Sequence, residues 1–190
     1  VFGLGACGEL RPRDQSAGFG PVEDLGAALA DDARAVDATG GAERVATASE
    51  TLTVERRQPT EAHLAAARER LDERAGTGND RALWAAHETL ALADAPATHD
   101  VAVWAARVGD AALVALPGEV FHEHGLAIKE RSPFEHTLVT TLANGYCGYV
   151  PTEPAFERGG YEVILAASSF LERGAGAAMV DAAERVLDRL

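Results

Sequence analysis

The apolar positions of this 190-residue chain change period several times along its length. The opening run "VFGLGAC" (1–7) is apolar and runs into a glycine, which reads as a buried strand entering a loop. "GELRPRDQSAGFGP" (8–21) breaks the pattern with glycine, proline and polar residues and reads as that loop. Val22, Leu25, Leu29 and Val36 then recur at helical spacing, with Asp31, Asp32 and Arg34 between them. Residues 42–57 are threonine-rich and β-branched with loose alternation, predicting a half-exposed strand. Over 60–74, Leu64, Ala67 and Leu71 mark the stripe of an amphipathic helix that Thr60 is suited to cap. After "GTGND" (76–80), a second helix carries Leu83, Trp84, His87 and Leu90.

The sharpest local signal is "DVAVWAARVGDAALVALPGE" (100–119), two apolar strands joined at Gly109-Asp110, a hairpin pair. Pro117-Gly118 ends the second strand, and a helix is expected from about 119 to 130. "HTLVTTLAN" (136–144) predicts another strand, and 176–190 a last helix with Met179, Ala183, Val186 and Leu190 on one face. Strands and helices mix without strict alternation. The pattern predicts an α/β fold, a mixed β-sheet covered by helices. There are no internal repeats and no low-complexity linker.

Composition narrows the function classes. The chain is 47% hydrophobic, enough for a proper core, and carries 17 Lys+Arg against 30 Asp+Glu, a net charge of −13. That balance argues against nucleic acid and against anionic membranes, which both need clustered positive charge. Lys129 is the single lysine, and the acidic, alanine-rich composition fits a salt-adapted or high-GC prokaryote, or equally codon bias alone. Cys7 and Cys147 are too few for a disulfide scaffold and form no CxxC pair. No apolar run approaches the roughly 18–20 residues of a spanning helix. No secretory signal is visible, which favours the cytoplasm. The chain opens without a methionine on an apolar run, as if it begins inside a longer protein.

Candidate chemistry falls at three places where a strand ends in a turn. Glu119, in "LPGEVFHEHG" (116–125), follows an apolar strand; it reads either as an outward-facing functional carboxylate or as a first-turn glutamate favoured by the helix dipole. Glu119 and His122 form an E-x-x-H pair of the kind used in di-metal bundles, but the several further glutamates of such a bundle are not found. His122 and His124 are two apart on a helix and point differently, so they do not chelate together. "GACGELRPR" (5–13) is a sharp turn whose N–H groups suit an oxyanion, although Glu9, Arg11 and Arg13 also read as a solvated loop. The third place holds every tyrosine of the chain, Tyr146, Tyr149 and Tyr161, within "NGYCGYVPTEPAFERGGYE" (144–162). Gathering phenols there suits a site needing oxygen donors, whereas lone tyrosines usually anchor loops.

In order and spacing these pieces resemble the neutral/alkaline, non-lysosomal ceramidases and their shorter prokaryotic relatives. Pro117-Gly118-Glu119 matches the family's P-G-E turn. Asn144, Tyr146, Tyr149, Val150 and Thr152 match N-x-Y-x-x-Y-[IV]-x-T, and Tyr161-Glu162 closes the segment. Gly5, Gly8, Glu9 and Pro12 resemble the family's G-D-x-S-P loop. The match is good at both ends of the chain and poor in the middle. The resemblance implies a zinc-dependent hydrolase of an amide-type bond, with Glu119 and Tyr149 as metal ligands and Tyr161 as the catalytic group at the substrate amide. Gly8, Arg11 and Tyr161 would line the substrate site. The family's two histidine ligands lie upstream of the loop, so this chain reads as the C-terminal half of a larger catalytic domain, without the immunoglobulin-like domain. An upstream segment or a partner chain would complete the zinc site for a small-molecule or lipid amide substrate.

Two departures follow from the residues. Glu9 replaces the loop's aspartate, and Arg11 replaces the serine implicated in amide cleavage. An arginine stays protonated and cannot serve as that nucleophile; Arg11 suits an anionic group of a smaller substrate instead. The alternative reading is a non-catalytic small-molecule-binding domain on the same scaffold. Tyr146 reads as support for Tyr149 or as ordinary packing, with packing favoured, and Cys147 as a small buried residue.

Overall fold

A computed structural model describes residues 3–36, 44–73 and 81–190. The core is a mixed four-stranded sheet in the order β1-β2-β3-β5. β1 (Val45–Glu55) and β2 (Thr98–Val108) pair antiparallel, and β2 turns through Gly109-Asp110 into β3 (Ala111–Ala115). β3 then pairs in parallel with β5 (His136–Thr140). That step needs a crossover, and α4 (His122–Arg131) supplies it.

Alternation decides which side is buried. Val101, Val103, Ala105, Ala112, Val114 and Val139 turn inward on one face. They meet α6 (Ala175–Leu187), whose Met179, Ala182, Ala183 and Val186 are fully buried. The alanines let the helix axis sit close to the sheet, and Phe170 is the one aromatic in this core cluster among the described residues. On the other face Val45, Trp104, Val108, Leu113 and Leu138 are exposed. Between β1 and β2 come α2 (Glu61–Glu73) and α3 (Arg81–Ala91), which pack on each other through Leu64, Ala67 and Ala86. No helix among the described residues is long and apolar enough to cross a membrane.

Two expected elements differ. Residues 3–7 form no strand, and Gly3, Leu4 and Gly5 are exposed; residues 1 and 2 lie outside the described residues. Glycines at 3, 5 and 8 offer no side chain to pack and raise the entropic cost of extended order. The segment instead runs beside the end of β5, where the Thr141 N–H donates to the Leu4 carbonyl at 2.8 Å. The helix expected from 119 begins at His122, with Phe121 as its N-cap. Residues 119 and 120 form a two-residue strand, β4 (Glu119–Val120), because the Glu119 N–H is taken by the Gly148 carbonyl at 2.9 Å. α1 (Gly20–Ala35) forms with Pro21 in its first turn, yet it buries no residue; Val22, Leu25 and Leu29 stay exposed.

Candidate functional site

β4 pairs in parallel with β6 (Tyr149–Val150), and the register sets Glu119 opposite Tyr149. Same-face neighbours across such a pair stand within side-chain reach. The two residues are 30 apart in sequence, and two short strands bring them together at one end of the main sheet. Gly148 makes this approach possible. Its φ of +75° suits glycine, and a Cβ there would overlap the Ser168 carbonyl.

All three phenols converge on this point. The Tyr146 hydroxyl donates to Glu119 Oε1 at 3.0 Å. The Tyr149 and Tyr161 hydroxyls are 2.8 Å apart, and their rings meet edge to face at 5.4 Å. Burial, then the Tyr161 hydroxyl and the Glu119 carboxylate, drive the Tyr149 phenol well above its ordinary pKa. Tyr146 is pushed up to about 12, by burial first and then by its bond to Glu119. Tyr146 and Tyr149 therefore keep their protons at neutral pH, beside one carboxylate. Tyr146, read above as support for Tyr149 or as packing, bonds to Glu119 and is itself half exposed.

Tyr161 starts a 3-10 turn (Tyr161–Val163) that follows α5 (Glu153–Arg158). Arg57 ties that segment down. Its guanidinium donates to the carbonyls of Val163 at 2.8 Å, Ser169 at 2.6 Å and Leu171 at 2.9 Å. Burial lowers the Arg57 pKa to about 10, and its ring partner is Phe156 at 5.0 Å. Nothing in the sequence around position 57 announces this role, because its partners lie more than 100 residues away.

The glycine loop backs onto the same strand. The Gly8 N–H donates to the Val120 carbonyl at 2.9 Å, and a Cβ at Gly8 would overlap the Glu119 carbonyl. Arg11, further along the loop, lies over the Tyr161 ring with its guanidinium carbon 5.8 Å from the centroid. Glu9 is not simply a solvated loop residue. Both of its oxygens accept from the His122 backbone N–H at 3.2 Å, at the start of α4. A carboxylate there satisfies an orphan donor and complements the helix dipole. Glu9 also contacts the His122 ring and raises its pKa, while Glu123 lies 3.3 Å from His122 Nδ1. Glu9, His122 and Glu123 thus form a compact acidic group, and Glu119 is not one of its members. His124 turns the other way, with Nε2 3.2 Å from the Pro151 carbonyl, and burial lowers its pKa. With Glu119 on a strand, the E-x-x-H spacing does not put it on one helical face with His122. A cleft of about 350 Å3 lies elsewhere, between α2 and α3, lined by Ala67, Ala86, Ile164 and Leu165 among others.

Chemically, one carboxylate and one phenol stand side by side as hard oxygen donors, with two further phenols bonded to them. That donor set fits half the shell of a four-coordinate zinc ion. No protein-family model matches the chain, and no curated protein matches it. Among solved structures, the neutral ceramidase from Pseudomonas aeruginosa matches 100% of this chain and 38% of its own, with a TM-score of 0.59 at 19% identity. The fold is ceramidase-like. A second structure, a ceramidase complexed with C2, matches 50% of this chain and 16% of its own, at a TM-score of 0.38 and 24% identity. In this ceramidase-like fold, Pro117-Gly118-Glu119 and Asn144–Thr152 lie against each other through the bond from the Cys147 N–H to the Pro117 carbonyl, 2.6 Å.

Proposed function

We propose that the chain forms part of a zinc-dependent hydrolase that cleaves an amide-type bond in an N-acyl substrate. The pairing of Glu119 with Tyr149 across β4 and β6 carries this reading. Glu119 and Tyr149 would hold the metal. Two histidines from an upstream segment or a partner chain would complete the set. When bound, zinc supplies Lewis-acid activation of the amide carbonyl and of water.

The remaining steps belong to this chain's side chains. Tyr146 keeps the Glu119 carboxylate oriented through its hydroxyl. Tyr161, held by Arg57 through its own turn, is the donor for charge that develops on the carbonyl oxygen. The loop from Gly8 to Arg11 forms one wall. Hydrolysis breaks the acyl C–N bond. The oxygen of water joins the acyl carbon, and a proton passes to the nitrogen as it leaves as an amine.

Metal analysis of the full-length protein tests this reading. Stoichiometric zinc is expected, with Glu119→Ala losing both the metal and hydrolysis of acyl amides. Hydrolysis that persists in zinc-free protein would overturn the reading.

A further inference from the structure

We infer that Arg11 is a carboxylate-binding residue and that the substrate is an acyl amide whose amine half bears a carboxylate, an N-acyl amino acid. This rests on the amide-hydrolase reading above and narrows its substrate class. The guanidinium is exposed at the site's edge and lies 5.8 Å from the Tyr161 ring centroid. The Tyr161 hydroxyl is in turn 2.8 Å from that of Tyr149, which stands opposite Glu119. A permanent positive charge therefore sits beside the ring whose hydroxyl joins the phenol pair. In an N-acyl amino acid the carboxylate is two bonds from the scissile nitrogen, so a substrate bound at Tyr161 brings its carboxylate to the same side of the site as Arg11.

Charge reinforces the assignment. The chain has a net charge of −13, and Glu9 and Glu119 flank the loop. Such a surface repels an anionic ligand unless a local cation reverses the field. Arg11 makes no ion pair among the described residues, although acidic side chains outnumber basic ones. Among the described residues its guanidinium meets the tyrosine face, and the planar fork of N–H donors suits a bidentate carboxylate. A neutral amino-alcohol amide offers that fork a hydroxyl acceptor but no negative charge, and would leave the guanidinium's charge unpaired.

Hydrolysis and binding of N-acylglycine and N-acylethanolamine of equal chain length, by the full-length zinc-loaded protein, test the proposal. The acylglycine is expected to be favoured on the order of tenfold or more in kcat/KM. Arg11→Gln should erase that preference chiefly through KM, Arg11→Lys should keep part of it, and rising salt should shrink it. Equal or better use of the neutral amide, or an Arg11→Gln variant that weakens both substrates alike, would overturn it. If no variant hydrolyses either amide, the amide-hydrolase reading fails. Calorimetric binding of N-acylglycine, lost in Arg11→Gln, would still support the carboxylate site, and unchanged binding would refute it.

Discussion

Glu119 is held by Tyr146, the most exposed tyrosine of the cluster at 52%. Loss of that bond should affect the carboxylate's orientation more than the fold. Tyr146→Phe is expected to weaken zinc binding about tenfold, the lower end for partners that orient a ligand, while leaving the unfolding midpoint nearly unchanged. Metal titration beside a denaturant melt checks both halves. Glu9 and His122 give a pH signature. Contact with Glu9, aided by the charge of Glu123, raises the His122 pKa in the folded protein above its ordinary 6.5. The stabilisation is therefore full below about pH 6.5 and is lost as pH rises through the higher folded value. Burial opposes the shift, and the ring is partly exposed, so the effect is small. Stability measured from pH 5 to 9 should fall across that window in the native protein, and the fall should shrink in Glu9→Gln, with Glu123 left to support the remainder.

At the scale of elements, the site depends on two strands of two residues each, β4 and β6. Two residues carry no readable period, so neither strand is legible in sequence, and Glu119 reads as a helix start. What makes them strands is tertiary: the bonds from Glu119 to Gly148 and from Tyr149 to Ser168. Gly148→Ala combines a left-handed backbone with an overlap on Ser168. It should destabilise the protein by about 2 kcal/mol or more and loosen zinc binding with it, measured by denaturant unfolding and metal titration. The long elements were legible because their periods are long. The hairpin at Gly109-Asp110, the helix over 61–73 and the α6 stripe all form where periodicity points. The opening apolar run misleads because its glycines mimic a buried segment without supplying side chains to bury. The tyrosine cluster was visible as a cluster, whereas Glu9 capping α4 and Arg57 bracing the Tyr161 turn were not, since each reaches a partner more than 100 residues away.

Over the whole molecule, the site draws its parts from three separated stretches: the loop at 8–11, β4 at 119–120 and the segment 146–161. The four-stranded sheet and α6 form the rigid base, and the site sits where β3 and β5 end. This explains how a chain with 6% aromatic residues places all three tyrosines within one hydrogen-bonded group around a carboxylate. The chain spans 38% of the length of the ceramidase it matches. The central claim is that Glu119 and Tyr149 share a divalent ion. Without a cation, burial, Tyr161 and Glu119 all keep the Tyr149 phenol protonated, so a phenolate at neutral pH reports the metal directly. Zinc titration of the full-length protein, followed by tyrosinate difference absorption, should give a band that saturates with stoichiometric zinc. That band should vanish in Tyr149→Phe and persist in Tyr161→Phe. Zinc bound in full with no tyrosinate band, or a band untouched by Tyr149→Phe, would contradict the claim.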